Sequence, residues 1–426
     1  MKDNSYLLSK NNVNIKNKNN FRTKNIKKNK RKKKTEIKII TKSNDNNKNQ
    51  KQKTIKIREP GIDFVRILAM YAIIIHHIIC FGNLKRKYNN HYKTLDFIEI
   101  CTFWHVCSYA LISGIIGYKT TKYSNLIYLW FCVFFYSVGV FTLLKIYKPA
   151  YIGKEQIFYY YFPVFFQKYW YFTQYFGMYL FLPAVNKGIS ILTKSELKVL
   201  VISLISVFII CKDLINNKDD IFGMKSGYSV LGLLIFYITG AYFGKHRFVY
   251  NGIKKFIFCF ICAIIFLIST LLCYYAANYL PKYINNYNYY NYNYKMKLFI
   301  KIKALFVMRI SSLPMILQAI SVTLICMQIK YNKYIGKVIT FLGPLTFGIY
   351  LSHTHHKMIY FVRQLFKNDS IRTPLNTIII LMFTRGLKIL GICFAIEYFR
   401  NLLFNICRIR MLCIFLEKMI FKILGC

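Results

Sequence analysis

The sequence predicts an all-α fold: a polytopic membrane helical bundle of about ten transmembrane helices, preceded by a disordered basic tail. Hydrophobic residues make up 55% of the 426 residues, aromatic residues make up 18%, and the mean hydropathy is +0.31. After residue 60, apolar blocks of about 18 residues or more recur, and about 20 helical residues at 1.5 Å each cross a hydrocarbon core. Positive charge is densest in the first 58 residues.

The predicted first domain, residues 1–58, is a Lys- and Asn-rich tail with the run KNIKKNKRKKK and almost no aromatic residues. This composition cannot bury a core, which predicts disorder. A basic segment just before a spanning helix favours the cytosol, where anionic lipids attract it. The net charge of +46 is therefore interpreted as contact with anionic lipids, and no nucleic-acid partner is expected.

The predicted second domain, residues 59–400, contains ten apolar segments. An even number of spans places both termini in the cytosol, and the membrane is either a plasma membrane or an endomembrane. The predicted third domain, residues 401–426, mixes basic side chains with Leu, Ile and Phe, which indicates an amphipathic interfacial helix. The predicted spans are 61–82, 98–118, 125–146, 170–185, 197–212, 227–244, 255–279, 303–328, 338–362 and 375–398.

Polar residues interrupt the first span at Asp63, Arg66, His76 and His77. A charge inside a membrane is costly unless it faces the bundle interior or water, so these residues are candidates for a functional site. Arg66 and His77 lie about 16 Å apart along a helix and roughly 20° apart around it, so they share one face, whereas His76 points about 80° away. Alternatively, Arg66 snorkels to the headgroups and His77 bonds a neighbouring carbonyl.

This stripe suits a reaction whose donor arrives from the cytosol. The guanidinium of Arg66 can pair with phosphate through two parallel hydrogen bonds. The imidazole of His77 can remove a proton from a hydroxyl group or carry an acyl group itself.

The pattern IDFVRILAMYAIIIHH resembles the first helix of the acyltransferase-3 family, integral membrane enzymes that move acyl groups onto surface or secreted carbohydrates. The hallmark of that family is R-x10-H, which falls on Arg66 and His77. Three further blocks resemble the family in the expected order and extend the resemblance over residues 60–400. They are WHVCSYALISGIIGYK (104–119), KYWYFTQYFGMYLFLPAVN (168–186), and SSLPMILQAISVTLICMQI with FLGPLTFGIYLSH (311–329 and 341–353).

The resemblance implies transfer of an acyl group, most simply acetyl, from acetyl-CoA or another acyl-CoA to a carbohydrate hydroxyl. Acyl-CoA is then a donor substrate, and no permanently bound cofactor is expected. His77 and His353, the histidine of the family's Y-L-x-H block, are the expected catalytic residues. This chain departs from the family's pattern at residues 107–109 and 354–357. These departures leave open which acceptor the enzyme uses and whether an acidic residue assists the catalytic histidine.

Other side chains in these blocks suggest roles in binding. Arg66, Arg309 and Arg385 are candidate donor-binding residues, although each arginine can also snorkel. The candidate substrate-binding residues, each with a structural alternative, are Trp170 and Tyr171 (an interfacial aromatic belt), Ser113 (helix packing beside Gly114) and His105 (an ordinary hydrogen-bonded histidine).

No metal site is predicted from the histidine cluster. His353 and His356 have a helical ligand spacing, but no nearby carboxylate or thiolate completes a site. The scattered cysteines are interpreted as free buried thiols, and Glu99 is a candidate for orienting an imidazole.

A different class of function also remains open: a polytopic transporter or lipid-sensing scaffold without acyl-transfer chemistry. A transporter predicts discontinuous helices at matching places in two halves of the chain. The sequence shows no such repeat.

Overall fold

The structure of the protein is a computed structural model that describes residues 58–147, 157–215, 220, 222–279, 305–355 and 358–425. Every regular element within these ranges is a helix, which confirms the predicted all-α class. The predicted tail, apart from Arg58, lies outside the described residues, as do the Tyr- and Asn-rich segment 283–295 and His356.

Thirteen longer helices are numbered here in chain order, and short helical turns connect several of them. They are α1 (Pro60–Phe81), α2 (Tyr92–Thr102), α3 (His105–Gly117), α4 (Tyr123–Tyr147), α5 (Trp170–Ile191), α6 (Lys194–Ile205), α7 (Val230–Lys245), α8 (Gly252–Asn278), α9 (Leu313–Gln328), α10 (Lys333–Leu342), α11 (Thr346–Thr354), α12 (Leu375–Ile406) and α13 (Ile409–Ile423).

Helix α1 lies at the centre of the bundle. Pro60 occupies its first turn, where the missing N–H costs no hydrogen bond, and Asp63 places a negative charge at the positive end of the helix dipole. Helix α1 contacts α2, α3, α9, α10, α11 and α12. The polar residues of α1 are therefore held among protein neighbours, as the cost of a charge in lipid requires.

Glycines allow α3 and α7 to cross at close range. A Cβ atom on Gly114 would lie 1.9 Å from the Tyr237 carbonyl oxygen, and one on Gly240 would lie 1.9 Å from the Leu111 carbonyl oxygen. Small residues at such crossings let two backbones approach each other within a membrane. The crossing holds α3, which carries His105 and Tyr109, in place beside α1.

Replacing Gly240 by alanine should destabilise the protein by about 1–3 kcal/mol, because the two helices must move apart to admit the methyl group. Thermal unfolding of the purified protein in detergent measures this effect. Gly139→Ala is the matched control, since a Cβ there meets nothing within 4 Å. Equal melting temperatures for the two variants would contradict the crossing described here.

The span predicted at 98–118 covers the end of α2 and all of α3, which a turn at Phe103 and Trp104 separates. Two further predicted spans differ from the observed helices beside a proline. The segment predicted at 303–328 contains α9, which begins at Leu313 after extended backbone at Ser312, with Pro314 in its first turn. The segment predicted at 338–362 covers the second half of α10 and all of α11, which a 3-10 turn at Gly343–Leu345 separates, and α11 ends at Thr354.

Six helical stretches among the described residues are long and apolar enough to cross a membrane, and α7 and α9 are shorter apolar helices. This pattern identifies an integral membrane protein with a polytopic helical bundle. Three points stay predictions: that the chain has ten spans, that α13 lies at the interface, and that both termini are cytosolic. The six stretches are Pro60–Phe81, Asn89–Gly117, Tyr123–Tyr147, Gly252–Asn278, Lys333–Thr354 and Leu375–Ile406.

Candidate active site

A cavity of about 170 Å³ lies beside the second half of α1. Its wall is mainly aromatic, and its polar groups are imidazoles, phenol hydroxyls and one ammonium group. Pockets that hold drug-sized molecules measure about 300–1,000 Å³, so this cavity has room for only the reacting end of a larger substrate. The lining residues that matter here are His77, His105, Tyr109, Lys168, Trp170, Tyr171 and Tyr350.

His77 and His353 face each other across the interface between α1 and α11. The Nδ1 atom of His77 lies 3.2 Å from Nε2 of His353, and the ring centroids are 5.2 Å apart. On its other side, His353 Nδ1 lies 2.6 Å from the carbonyl oxygen of Ile349, one turn earlier in the same helix. The two residues therefore form a chain that runs from a backbone carbonyl to the ring that lines the cavity.

If both imidazoles are neutral, this series of hydrogen bonds determines which nitrogen of each ring carries the proton. A carbonyl oxygen only accepts, so His353 must carry its proton on Nδ1, which leaves Nε2 as an acceptor. His77 must then donate from Nδ1, and its Nε2 atom carries the free lone pair. That Nε2 atom makes no hydrogen bond to the described residues. His77 is thus oriented as a base or nucleophile beside the cavity.

Arg66 forms an ion pair within the first turns of α1. Its Nη1 atom lies 2.5 Å from Oδ1 of Asp63. Asp63 is only 2% exposed, and its other oxygen, Oδ2, lies 3.8 Å from Nε of Arg58. The other guanidinium N–H groups of Arg66 make no hydrogen bond to the described residues. Asp63 therefore orients the guanidinium group and leaves most of its donors available to an anion.

Arg66 does not line the cavity, because tyrosines lie between it and His77. The hydroxyl of Tyr109 donates to the carbonyl of Arg66 at 2.8 Å, and the same residue lines the cavity. Tyr171 also lines the cavity and stacks on Tyr175 at 6.2 Å between ring centroids. The shared face predicted for Arg66 and His77 is thus covered by aromatic side chains of α3 and α5.

The other two candidate arginines lie away from Arg66, near the end of the bundle that contains Phe81. Arg309 Nη2 lies 3.2 Å from Oδ2 of Asp213, and it precedes α9, whose last turn contacts Gly61. Arg385 forms an ion pair with Asp369, with Nη2 3.0 Å from Oδ1, and its hydrogen bonds hold the pKa of that carboxyl below the usual value. The structure does not bring either arginine together with Arg66.

The candidate substrate-binding residues divide into two groups. Trp170, Tyr171 and His105 line the cavity, with Trp170 packed against Tyr228 at 4.4 Å between centroids. Ser113 does not line it, and its hydroxyl donates to the Tyr109 carbonyl at 2.8 Å. Their roles in binding stay predictions.

The cavity residues without a predicted role include Tyr109, Lys168 and Tyr350. Lys168 and Tyr350 lie in sequence blocks that resemble the family, and Tyr109 lies where this chain departs from it. Periodicity alone marks Tyr109 and Tyr350 as ordinary helix residues, so it carries no signal for them. Lys168 lies two residues before the aromatic helix α5. A basic residue beside an aromatic run is a signal that sequence reasoning could have used to find it.

Comparisons with known proteins agree with this architecture. Residues 59–396 match the model of the acyltransferase-3 family, which is described as an acyltransferase domain. No curated protein and no solved structure matches the chain significantly. The match covers the membrane body and includes Arg66, His77 and His353, and the chain therefore belongs to the acyltransferase-3 family.

Proposed function

We propose that this membrane acyltransferase transfers an acetyl group from acetyl-CoA to a hydroxyl group of a carbohydrate. The observation that carries the proposal is the His77–His353 pair, which aims an unpaired imidazole nitrogen at an aromatic cavity. Acyl transfer to a hydroxyl needs such a base, and aromatic faces such as Trp170 and Tyr171 suit the apolar face of a sugar ring.

In the proposed reaction, His77 Nε2 removes the proton of the acceptor hydroxyl as that oxygen attacks the thioester carbonyl carbon. The new C–O bond forms and the C–S bond breaks. The leaving thiolate then takes the proton from the His77 imidazolium, which regenerates the neutral ring. During the step, the bond from Nδ1 to His353 holds the ring in the tautomer that the reaction needs.

The donor enters from the end of α1 that contains Pro60. Arg66 binds a phosphate of CoA there, and the long pantetheine arm extends along the roughly 16 Å to His77. The side chains of Tyr109 and Tyr175 rotate to admit that arm. Because Arg309 and Arg385 lie toward the other end of the bundle, they are not assigned to the donor phosphates.

The same end of the bundle is rich in lysine and arginine, which gives weak support to its location in the cytosol, since the segment after α1 at the other end also carries Lys85, Arg86, Lys87 and Lys93. Gly336 of α10 approaches Pro60, and Arg247 forms an ion pair with Glu59, so the loops around residues 245–251 and 329–337 lie at this end. An excess of basic residues in short loops favours the cytosolic side. The basic residues at this end include Arg58 before α1, Lys245 and Arg247 at the end of α7, Lys330 in the next loop, and Lys333 and Lys337 in the first turns of α10.

Radiolabelled acetyl-CoA supplied to membranes that contain the protein tests the function. We expect label in the carbohydrate fraction with the wild type and not with His77→Ala. Equal labelling by both would contradict the role of His77. Label confined to the lipid fraction would contradict a carbohydrate acceptor, and absence of label with either protein would contradict acetyl-CoA as donor.

His353 is a positioning residue in this mechanism, and His353→Leu should lower kcat by about tenfold or more while KM stays similar. The reason is that His77 loses the acceptor that selects its tautomer. His353→Gln, whose amide oxygen can replace the lost acceptor, should recover part of the rate. Steady-state kinetics of the two variants measure this, and equal rates for the two would show that His353 only fills space.

A further inference from the structure

A second polar cluster lies beside His77, on the neighbouring face of α1. His76 and Cys80 are one turn apart on α1, and Glu99 approaches them from α2. The Nδ1 atom of His76 lies 3.3 Å from Oε1 of Glu99, and Cys80 Sγ lies 2.9 Å from the same oxygen. The distances from Cys80 Sγ to the two nitrogens of His76 are 3.7 and 3.9 Å.

These separations are those of ligands around one small cation. Zinc binds sulfur at about 2.3 Å and imidazole nitrogen or carboxylate oxygen at about 2.0–2.2 Å, so tetrahedral ligand atoms lie about 3.3–3.6 Å apart. The observed values of 2.9 to 3.9 Å bracket this range. Nitrogen, thiolate and carboxylate together also form a donor set that zinc accepts.

The charge around the cluster favours a cation. Asp96 and Glu99 are 4% and 2% exposed, and the Lys85 ammonium contacts both, at 3.0 and 2.5 Å. One positive charge for two buried carboxylates leaves one negative charge to be neutralised, since an unpaired buried charge is costly. Asn278 donates to Asp96 at 2.8 Å but brings no charge.

His105 supplies an independent observation. It is 3% exposed, and neither ring nitrogen has a hydrogen-bond partner among the described residues. Its ring centroid lies 5.4 Å from that of His76. A buried imidazole with two unpaired nitrogens is unusual in a folded protein and indicates a missing partner.

We propose that His76, Cys80 and Glu99 bind a divalent transition metal, preferably Zn²⁺, with His105 as the fourth ligand. Binding displaces the thiol proton of Cys80 to solvent, and the metal takes the place of that proton between sulfur and carboxylate. Lys85 remains on the second oxygen of Glu99 and holds this carboxylate in position. The ion joins α1, α2 and α3 directly behind His77.

The test uses Co²⁺ as a spectroscopic substitute for Zn²⁺. The full-length protein is purified in detergent through a tag without histidine, stripped with a chelator and titrated with Co²⁺. We expect one ion per chain, with the visible bands of tetrahedral cobalt and a thiolate-to-cobalt charge-transfer band. Cys101→Ser is the matched control, because Cys101 lies on α2 outside the cluster, and it should bind like the wild type.

Substitution of each proposed ligand is expected to change the cobalt spectrum or the cobalt affinity. Cys80→Ser should lose the charge-transfer band, and Glu99→Gln and His105→Phe should each weaken binding by about tenfold or more. Size-exclusion profiles that match the wild type show that these variants fold. Absence of binding by the wild type, or an unchanged spectrum in Cys80→Ser, would overturn the proposal. The readout is independent of acyl transfer, so failure here leaves the proposed reaction untouched.

Discussion

His77→Gln should lower kcat for acetyl transfer by about 10²–10⁴-fold, the usual contribution of a positioned general base. Glutamine can still donate from its amide to His353, so the interface between α1 and α11 should survive, but it offers no basic nitrogen. The KM for acetyl-CoA should remain within about twofold, because the proposed mechanism places the donor phosphates about three turns away from His77. Initial rates over a range of acetyl-CoA concentrations measure both parameters.

His91→Gln makes the same substitution in the short 3-10 turn between α1 and α2, away from the cavity, and should leave both parameters unchanged. A His77→Gln enzyme with wild-type kcat would refute base catalysis by this residue. Label trapped on the wild-type protein after denaturation would instead indicate that His77 carries the acetyl group covalently.

Arg66→Lys should raise the KM for acetyl-CoA by about tenfold, since each hydrogen bond between charged groups contributes about 1.5–3 kcal/mol and lysine cannot make the bidentate pair. The value of kcat should change little, because the lost contact binds substrate and transition state equally. Lysine keeps the positive charge beside Asp63, so the ion pair that orients this turn of α1 is preserved. Titration of acetyl-CoA in the same transfer assay gives both values.

Arg385→Lys is the control for that experiment, because Arg385 binds Asp369 near the other end of the bundle. It should leave the KM for acetyl-CoA unchanged. If Arg385→Lys raises KM and Arg66→Lys does not, the donor enters from the end of α1 that contains Phe81, and the proposed orientation is wrong.

Much of the fold was predictable because local composition determines it. Each predicted span overlaps an observed helix, since a long apolar run in a membrane has to satisfy its own backbone hydrogen bonds. The errors lie beside Pro314 and Pro344 and at the turn between α2 and α3, where a run that reads as one helix in hydropathy is divided. Hydropathy measures side chains and does not register a missing backbone donor.

The candidate site was predictable only in part. The spacing of Arg66 and His77 predicted a shared face of α1, but it carried no information about Tyr109, which covers that face from α3. The charge and helical position of Arg309 and Arg385 predict contacts with the donor, but they carry no information about the carboxylates that these arginines bind. Their distances to Asp213 and Asp369 show two separate ion pairs far along the chain.

Apolar length, helical spacing and ordered blocks are properties of the chain taken in order, so they are sufficient to predict an all-α integral membrane protein of the acyltransferase-3 family. The pairing of His77 with His353 and the contact of His76 with Cys80 and Glu99 emerge only when the helices are packed together. Proton positions and ligand sets depend on distances of about 3 Å between residues from different helices, and sequence separation contains no such distances.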